Sequence, residues 1–325
     1  MSSTTSCTAF DRNIADYLER QRALGRAYVA EEGILHSLRD FICAVGECEV
    51  DLASYERWCA THEGLTGNVR RNRQRIARNW CLYRQRSEPS CFVPDPNRFP
   101  RPHPHKAPVI IAQEDVGRML AAAQAVRPTA DSALRPDVLR LATVLLYTAG
   151  LRRGELLRLQ LGDVNAQDSV LRVRESKFHK SRWVRLSKGA GLELRHYLKR
   201  RQQQWGEAAP AQPLLCHGAG RCRGYTGTGL STGLQELIEA ASVRGWDGRR
   251  PRVHDFRHSF AVQCLLRWYR EGTDVQSNLP KLAMYMGHVS IISTAYYPRW
   301  IPELRQAASD RFEASFGSLV SGGVA

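Results

Sequence analysis

Seven of the chain's fifteen prolines fall between positions 89 and 108, in EPSCFVPDPNRFPRPHPHKAP. Proline fixes φ and has no N–H to donate, so a stretch this dense can be neither a helix nor the middle of a sheet. It reads as an extended linker, and it divides the chain into residues 1–88, a linker over 89–111, and a larger piece over 112–325. A chain of 325 residues is long enough for each of the two outer pieces to bury its own core. No internal repeat is evident.

The first piece reads as helices. IADYLERQRALG, AEEGILHSLRDFICAVG, DLASYERWCATHEG and NVRRNRQRIARNWCLYRQR carry apolar residues three and four apart, with Gly or Asn near the breaks. The last of these sets Arg70, Arg71, Arg73, Arg75 and Arg78 around a thin stripe of Val69, Ile76 and Trp80. Such a face is either solvated or a grip on a nucleic-acid backbone. In the second piece, QEDVGRMLAAAQAV and DVLRLATVLLYTAG read as helices, the latter apolar enough to be central core. SVLRVRES and SRWVRLS alternate in polarity on either side of KFHK and read as a β-hairpin; beyond residue 230 the pattern is helical. The expected fold is mainly α with a small β-sheet, of the α+β class, with a helical N-terminal domain.

Charge narrows the partners. Forty-seven Lys+Arg against 32 Asp+Glu leave a formal charge of +15, and only six of the cations are lysines. A surplus of that size favours a polyanion, because neutralising phosphates releases their condensed counterions. By itself it does not choose between DNA, RNA and anionic lipid. No apolar run approaches the roughly 20 residues of a spanning helix, and MSSTTSCTAF has no signal-peptide core, so a cytoplasmic protein is expected. Nine scattered cysteines then read as reduced thiols. Cys216 and Cys222, in CHGAGRC, have no second Cys/His pair at finger-like spacing to make a zinc site.

Four stretches of the second piece carry the chemistry. TAGLRRGELLRL places Arg152 just after a glycine that ends one helix, and ESKFHKSRW puts Lys177 and Lys180 at the hairpin tip. RVHDFRHSF sets His254 and Arg257 on neighbouring turns of one helical face, and MGHVSIISTAYY supplies His288, Tyr296 and Tyr297. Each residue alone has an ordinary structural explanation. Together, guanidiniums, a lysine and imidazoles without a carboxylate cluster or metal-ligand set suit the binding of one phosphodiester and the charge of its substitution. A nucleophile is then required, and tyrosine can be one.

In order, these residues are G-L-R-x-x-E from Gly150 to Glu155, a hairpin lysine, H-x-x-R, G-H, and a tyrosine nine residues after that histidine. The set resembles the catalytic domain of the tyrosine recombinases, the phage-integrase family, over residues 112 to 325. The helical piece before it is similar in size and position to the family's core-binding domain, though without a sharp motif. The resemblance implies that Arg152 and Arg257 clamp the scissile phosphate and that Lys177, rather than Lys180, protonates the departing 5'-oxygen. His254 would hydrogen-bond the phosphate and assist proton transfer, and His288 would hold a phosphate oxygen. Tyr297 would attack to give a 3'-phosphotyrosyl bond, with no ATP, metal or other cofactor. The implied partner is double-stranded DNA, bound by a tetramer, with room for partner recombinases.

There are departures. His288 follows Arg257 by 31 positions, longer than in compact Xer-like members, Met286 stands where leucine is usual, and Pro298 follows Tyr297. The long spacing looks more like recombinases of transposable elements. Two other readings use the same residues: a type IB topoisomerase, and a non-catalytic DNA-binding regulator that keeps the fold.

The choice between the tyrosines also has a local argument. In a helix over 290–297, Val289, Ile292 and Tyr296 share one apolar stripe, which makes Tyr296 a packing residue. Tyr297 lies off that stripe, and Pro298 disfavours the α conformation there, so the helix should end with this side chain at a terminus.

Overall fold

The computed structural model describes residues 2–104, 106–174, 181–218, 222–245 and 247–287, with positions 306, 309, 310 and 313. The chain forms two compact units, Met1–Lys106 and Ala107–Ala325.

Four helices make the first unit: α1 Ser2–Ala23, α2 Val29–Ala44, α3 Leu52–Ala60 and α4 Gly67–Arg84. Their apolar spacing is realised in one core, with Ile14, Tyr17 and Leu18 of α1 against Leu35, Leu38 and Ile42 of α2, Trp58 of α3, and Ile76 and Trp80 of α4. Asp51 caps α3, accepting from the Ser54 N–H at 2.7 Å. Val69, expected on the stripe of α4, is exposed.

The proline stretch is not a free spacer. Phe92 and Val93 pack on the first core, and Phe99 is buried. Backbone without N–H groups still offers carbonyls, and α4 takes them: Arg78 donates to the Pro94 carbonyl and Arg71 to that of Pro100, at 3.1 Å. From Ala107 the chain belongs to the second unit. Ile111 is wholly buried in that core, and its N–H donates to Ser259 Oγ at 2.8 Å.

In the second unit α5 (Gln113–Ala125) precedes α6 (Arg135–Thr148), which touches α5 and four further helices: α7 Arg153–Arg158, α8 Lys188–Trp205, α9 Gly227–Ala240 and α10 Val253–Arg270. A helix contacted on all sides must be apolar on all sides. Accordingly Val138, Leu139, Leu141, Ala142, Thr143, Val144, Leu145 and Leu146 are all buried. The last described helix is α11, Val275–Met286.

The expected hairpin forms between β2 (Val170–Val173) and β3 (Arg182–Arg185), antiparallel, and β1 (Val164–Asn165) adds a third strand beside β2. Leu171 pairs with Val184 on the buried face, while Arg172 pairs with Trp183 outward, its guanidinium 5.8 Å from the indole centroid. A second two-stranded sheet, β4 (Cys216–His217) and β5 (Arg223–Gly224), is not apparent from the sequence pattern. It brings Cys216 and Cys222 to a Cα separation of 5.6 Å as a disulfide pair, where reduced thiols were expected. The whole is mainly α with small sheets, as expected.

Candidate active site

The site is built where three helix ends meet. After α6, Gly150 turns the chain at φ +58°; a Cβ there would lie 2.4 Å from Cδ1 of Phe260 on α10, so only glycine fits. Two residues on, Arg152 is the N-cap of α7, and its N–H is accepted at 2.9 Å by Glu155, at the third helical position. The start of α10 repeats the device: Asp255, fully buried, accepts the N–H of the N-cap Arg252 at 2.9 Å. This fixes the first two turns of α10, from which His254 and Arg257 project.

The end of α11 supplies the third wall. The last carbonyls of a helix have no partner within it, and they carry the negative end of its dipole. Here three consecutive ones each accept from a different arginine. Tyr285 O takes Nε of Arg182 at 2.8 Å, Met286 O takes Nη2 of Arg257 at 2.6 Å, and Gly287 O takes Nη2 of Arg152 at 2.7 Å. Arg257, 2 % exposed, also donates from Nη1 to Gly150 O at 2.5 Å. Gly287 sits at φ +68°, and a Cβ on it would come within 2.9 Å of Arg182 Nη1 and 3.5 Å of Arg152 Nη1.

Beneath the guanidiniums lies Glu155, its side chain 1 % exposed. Oε1 accepts from Arg152 Nη1 at 2.6 Å and from Arg182 Nη1 at 3.0 Å; Oε2 accepts from Arg182 Nη2 at 2.9 Å and lies 4.0 Å from Arg257 Nη1. Burial pushes this carboxyl's pKa up, but the hydrogen bonds from Arg182 and the Arg152 backbone outweigh it, and the result is about 2. Glu155 is therefore a fixed anion. Three cations share it, so the cluster keeps an excess of positive charge.

His254 lies at the surface beside this cluster. Desolvation, then the charge of Arg257, holds its pKa below the ordinary histidine value, which favours the neutral ring at neutral pH. Its ring meets His258 edge to face at 4.7 Å, and desolvation brings His258 down to about 4. Next to Arg152 and His254 opens a cleft of about 610 Å³, lined also by Arg153, Ser231, Gln235, Arg250 and Arg252. A cleft edged by that many guanidiniums suits a run of phosphates better than a small neutral ligand.

Of the residues expected at the site, the structure brings together Arg152, His254 and Arg257. Lys177, Lys180, His288, Tyr296 and Tyr297 lie outside the described residues; β2 and β3, which flank the lysines, and Gly287, which precedes His288, are described. Sequence reasoning missed the hub role of Glu155 and missed Arg182 altogether. A signal for Arg182 was present: period-2 alternation puts it in phase with Val184 and Leu186, both buried, and a cation on the inward phase of a strand needs a buried partner.

Residues 110–300 match the model of the phage integrase family. Over 314 residues the chain is 31% identical to the integrase/recombinase y4rB of Sinorhizobium fredii, covering 94% of this chain and 98% of that one. Over 223 residues it is 30% identical to the tyrosine recombinase XerD of Xanthomonas axonopodis pv. citri, covering 65% of this chain and 64% of that one. Among solved structures, the Tn1549 transposon integrase in complex with transposon right-end DNA superposes with a TM-score of 0.62 over 95% of this chain and 98% of that one, at 15% identity. At that identity the likeness speaks for the fold. Fold and site together define a catalytic domain of the integrase type. The chain belongs to the phage integrase family, the tyrosine recombinases.

Proposed function

We propose that the protein is a site-specific recombinase of a mobile genetic element that cuts and rejoins double-stranded DNA through a 3'-phosphotyrosyl intermediate. The observation that carries this reading is the convergence of Arg152, Arg182 and Arg257 on Glu155 and on three successive carbonyls at the end of α11. Such a cluster is rigid, positively charged and set before the substrate arrives, as stabilisation of a phosphoryl transition state requires.

In the proposed reaction Arg152 and Arg257 hold the non-bridging oxygens of the scissile phosphate. Tyr297 Oη attacks phosphorus; the bond from phosphorus to the 5'-oxygen breaks, and Lys177 Nζ gives its proton to that oxygen. His254, neutral before substrate binds, hydrogen-bonds the phosphate and helps carry away the phenolic proton that Tyr297 loses, and His288 holds a phosphate oxygen. A 5'-hydroxyl from another strand then attacks the phosphotyrosine and reverses the chemistry. Each step exchanges one phosphodiester for another, so no energy source is consumed. The first unit, with its arginine-faced α4, would grip the DNA, and four copies would assemble on paired sites, alone or with partner recombinases. Acting on DNA, the enzyme would work in the cytoplasm. The family match does not favour the topoisomerase or the non-catalytic regulator.

The test is a nicked suicide duplex, which traps the covalent adduct, run in excess EDTA. The guanidiniums and Lys177 meet the charge that a metal would otherwise neutralise, so the adduct should form undiminished. Loss of the adduct with recovery on adding Mg2+ would overturn the mechanism.

A further inference from the structure

Arg182 is the one member of the arginine cluster that comes from the sheet. It opens β3, directly after the segment that holds Lys177 and Lys180. Its side chain is 12% exposed, and each of its three nitrogens donates one hydrogen bond inside the protein: Nη1 and Nη2 to the two oxygens of Glu155, Nε to Tyr285 O. A second bond runs the other way, from Tyr285 Oη to Arg185 O at 2.9 Å, so both ends of β3 are held on the last turn of α11. Tyr285 is itself fixed, its ring stacked on Phe260 of α10 at 5.6 Å. Gly287 has no room for a side chain because the Arg182 guanidinium lies against it.

Unlike Arg152 and Arg257, which come from helix starts and are proposed to hold the phosphate, Arg182 reaches the cluster from a strand of the hairpin. Its forked geometry suits another task, since a bidentate pair with a carboxylate fixes orientation as well as distance. One end of the fork is the anion that also positions Arg152; the other end is the strand that leaves the hairpin. We propose that Arg182 is a positioning residue that locks the lysine-bearing hairpin in register with the phosphate-binding arginines, so that the general acid meets the departing 5'-oxygen. The proposal rests on the reading of Lys177 as that acid. As the bond from Tyr297 Oη to phosphorus forms and the bond to the 5'-oxygen breaks, the proton must travel from Nζ to that oxygen. A loosened hairpin delays this step and leaves phosphate binding intact.

The test compares two suicide duplexes, one with the ordinary 5'-bridging oxygen and one with a 5'-bridging sulfur, whose thiolate departs without a proton. Single-turnover cleavage is measured for the full-length chain, for Arg182→Lys and Arg182→Gln, and for Lys177→Ala. Arg182→Lys should lose at least about tenfold on the oxygen substrate, part of the ~10²–10⁴ that general acid catalysis supplies, and less than about threefold on the sulfur substrate. DNA affinity should be unchanged. Arg182→Gln, which keeps a planar donor but loses the fork, should show the same split more strongly, and it decides the matter should Arg182→Lys fold poorly. Equal losses on the two substrates, or none on either, would overturn the role for Arg182 while a sulfur-rescued Lys177→Ala keeps the acid assignment standing. If sulfur does not rescue Lys177→Ala, the acid assignment itself fails, and the inference falls with it.

Discussion

Arginine is spent differently in the two units. On α4 four arginines have separate, modest partners: Arg71 and Arg78 take carbonyls of the proline stretch, Arg73 contacts His62 at 3.0 Å, and exposed Arg75 reaches Asn72 at 2.9 Å. Arg84, at the end of the helix, is the exception, buried with its guanidinium 5.0 Å from the Trp80 ring centroid and paired with Glu49 and Glu88. In the second unit three arginines from three elements close on one buried carboxylate and one helix end. The first arrangement gives many adjustable cations at modest cost to each. The second holds a few cations by several hydrogen bonds each, as the proposed reaction at a phosphate would need.

Substitutions in the two units should therefore have different effects. Arg257→Lys keeps the charge but loses the fork that joins Gly150 to Met286. Single-turnover cleavage should fall by about 10²–10³, the usual effect of removing one preorganised donor, with DNA affinity nearly unchanged. A parallel loss of binding and cleavage, measured by filter binding and adduct formation, would erase the distinction.

The buried carboxylate makes the second unit's cluster sensitive to acid. The Glu155 pKa is depressed from an ordinary 4.5 to about 2 by the arginines. Its contribution to stability is therefore complete above about pH 4.5 and is lost as pH falls towards 2. By linkage it amounts to something on the order of 3 kcal/mol. The difference in unfolding free energy between the natural chain and Glu155→Gln should be constant near neutrality and shrink across that window. A difference that stays flat from pH 6 to pH 2.5 would mean that Glu155 is not the held anion described.

The smallest effect belongs to α4. Arg75→Ala removes one exposed cation, so DNA binding should weaken two- to fivefold in roughly 0.1 M salt, with the slope of log affinity against log salt falling by about 1. Cleavage at saturating protein should not change. An unaltered slope would make α4 a merely solvated face.

Much of this was legible in the sequence, for physical reasons. The helices of the first unit and α6 announce themselves because burial imposes periodicity, on one face for α2 and on every face for α6. The hairpin was legible because Leu171 and Val184 alternate with exposed partners. Arg152, His254 and Arg257 were legible because their spacing from glycines and from each other is tied to helix starts. What stayed hidden was tertiary. Nothing local to Tyr285, Met286 and Gly287 says that three carbonyls will each receive an arginine from elsewhere in the chain. The proline stretch misleads for a related reason: proline abolishes donors, so it reads as free chain, whereas here its carbonyls are accepted into the first unit. β4 and β5 are two residues each, too short for any period to show.

In the proposed mechanism the arginine cluster serves a tyrosine nucleophile one residue before Pro298. Trapping the natural chain, Tyr297→Phe and Tyr296→Phe on a nicked suicide duplex, and locating any DNA-linked peptide by mass spectrometry, decides whether it does. Tyr297→Phe should form no adduct while binding DNA as the natural chain does, and Tyr296→Phe, which loses only a hydroxyl, should still cleave and carry the DNA on Tyr297. An adduct retained in Tyr297→Phe and lost in Tyr296→Phe would contradict the account and move the nucleophile by one residue.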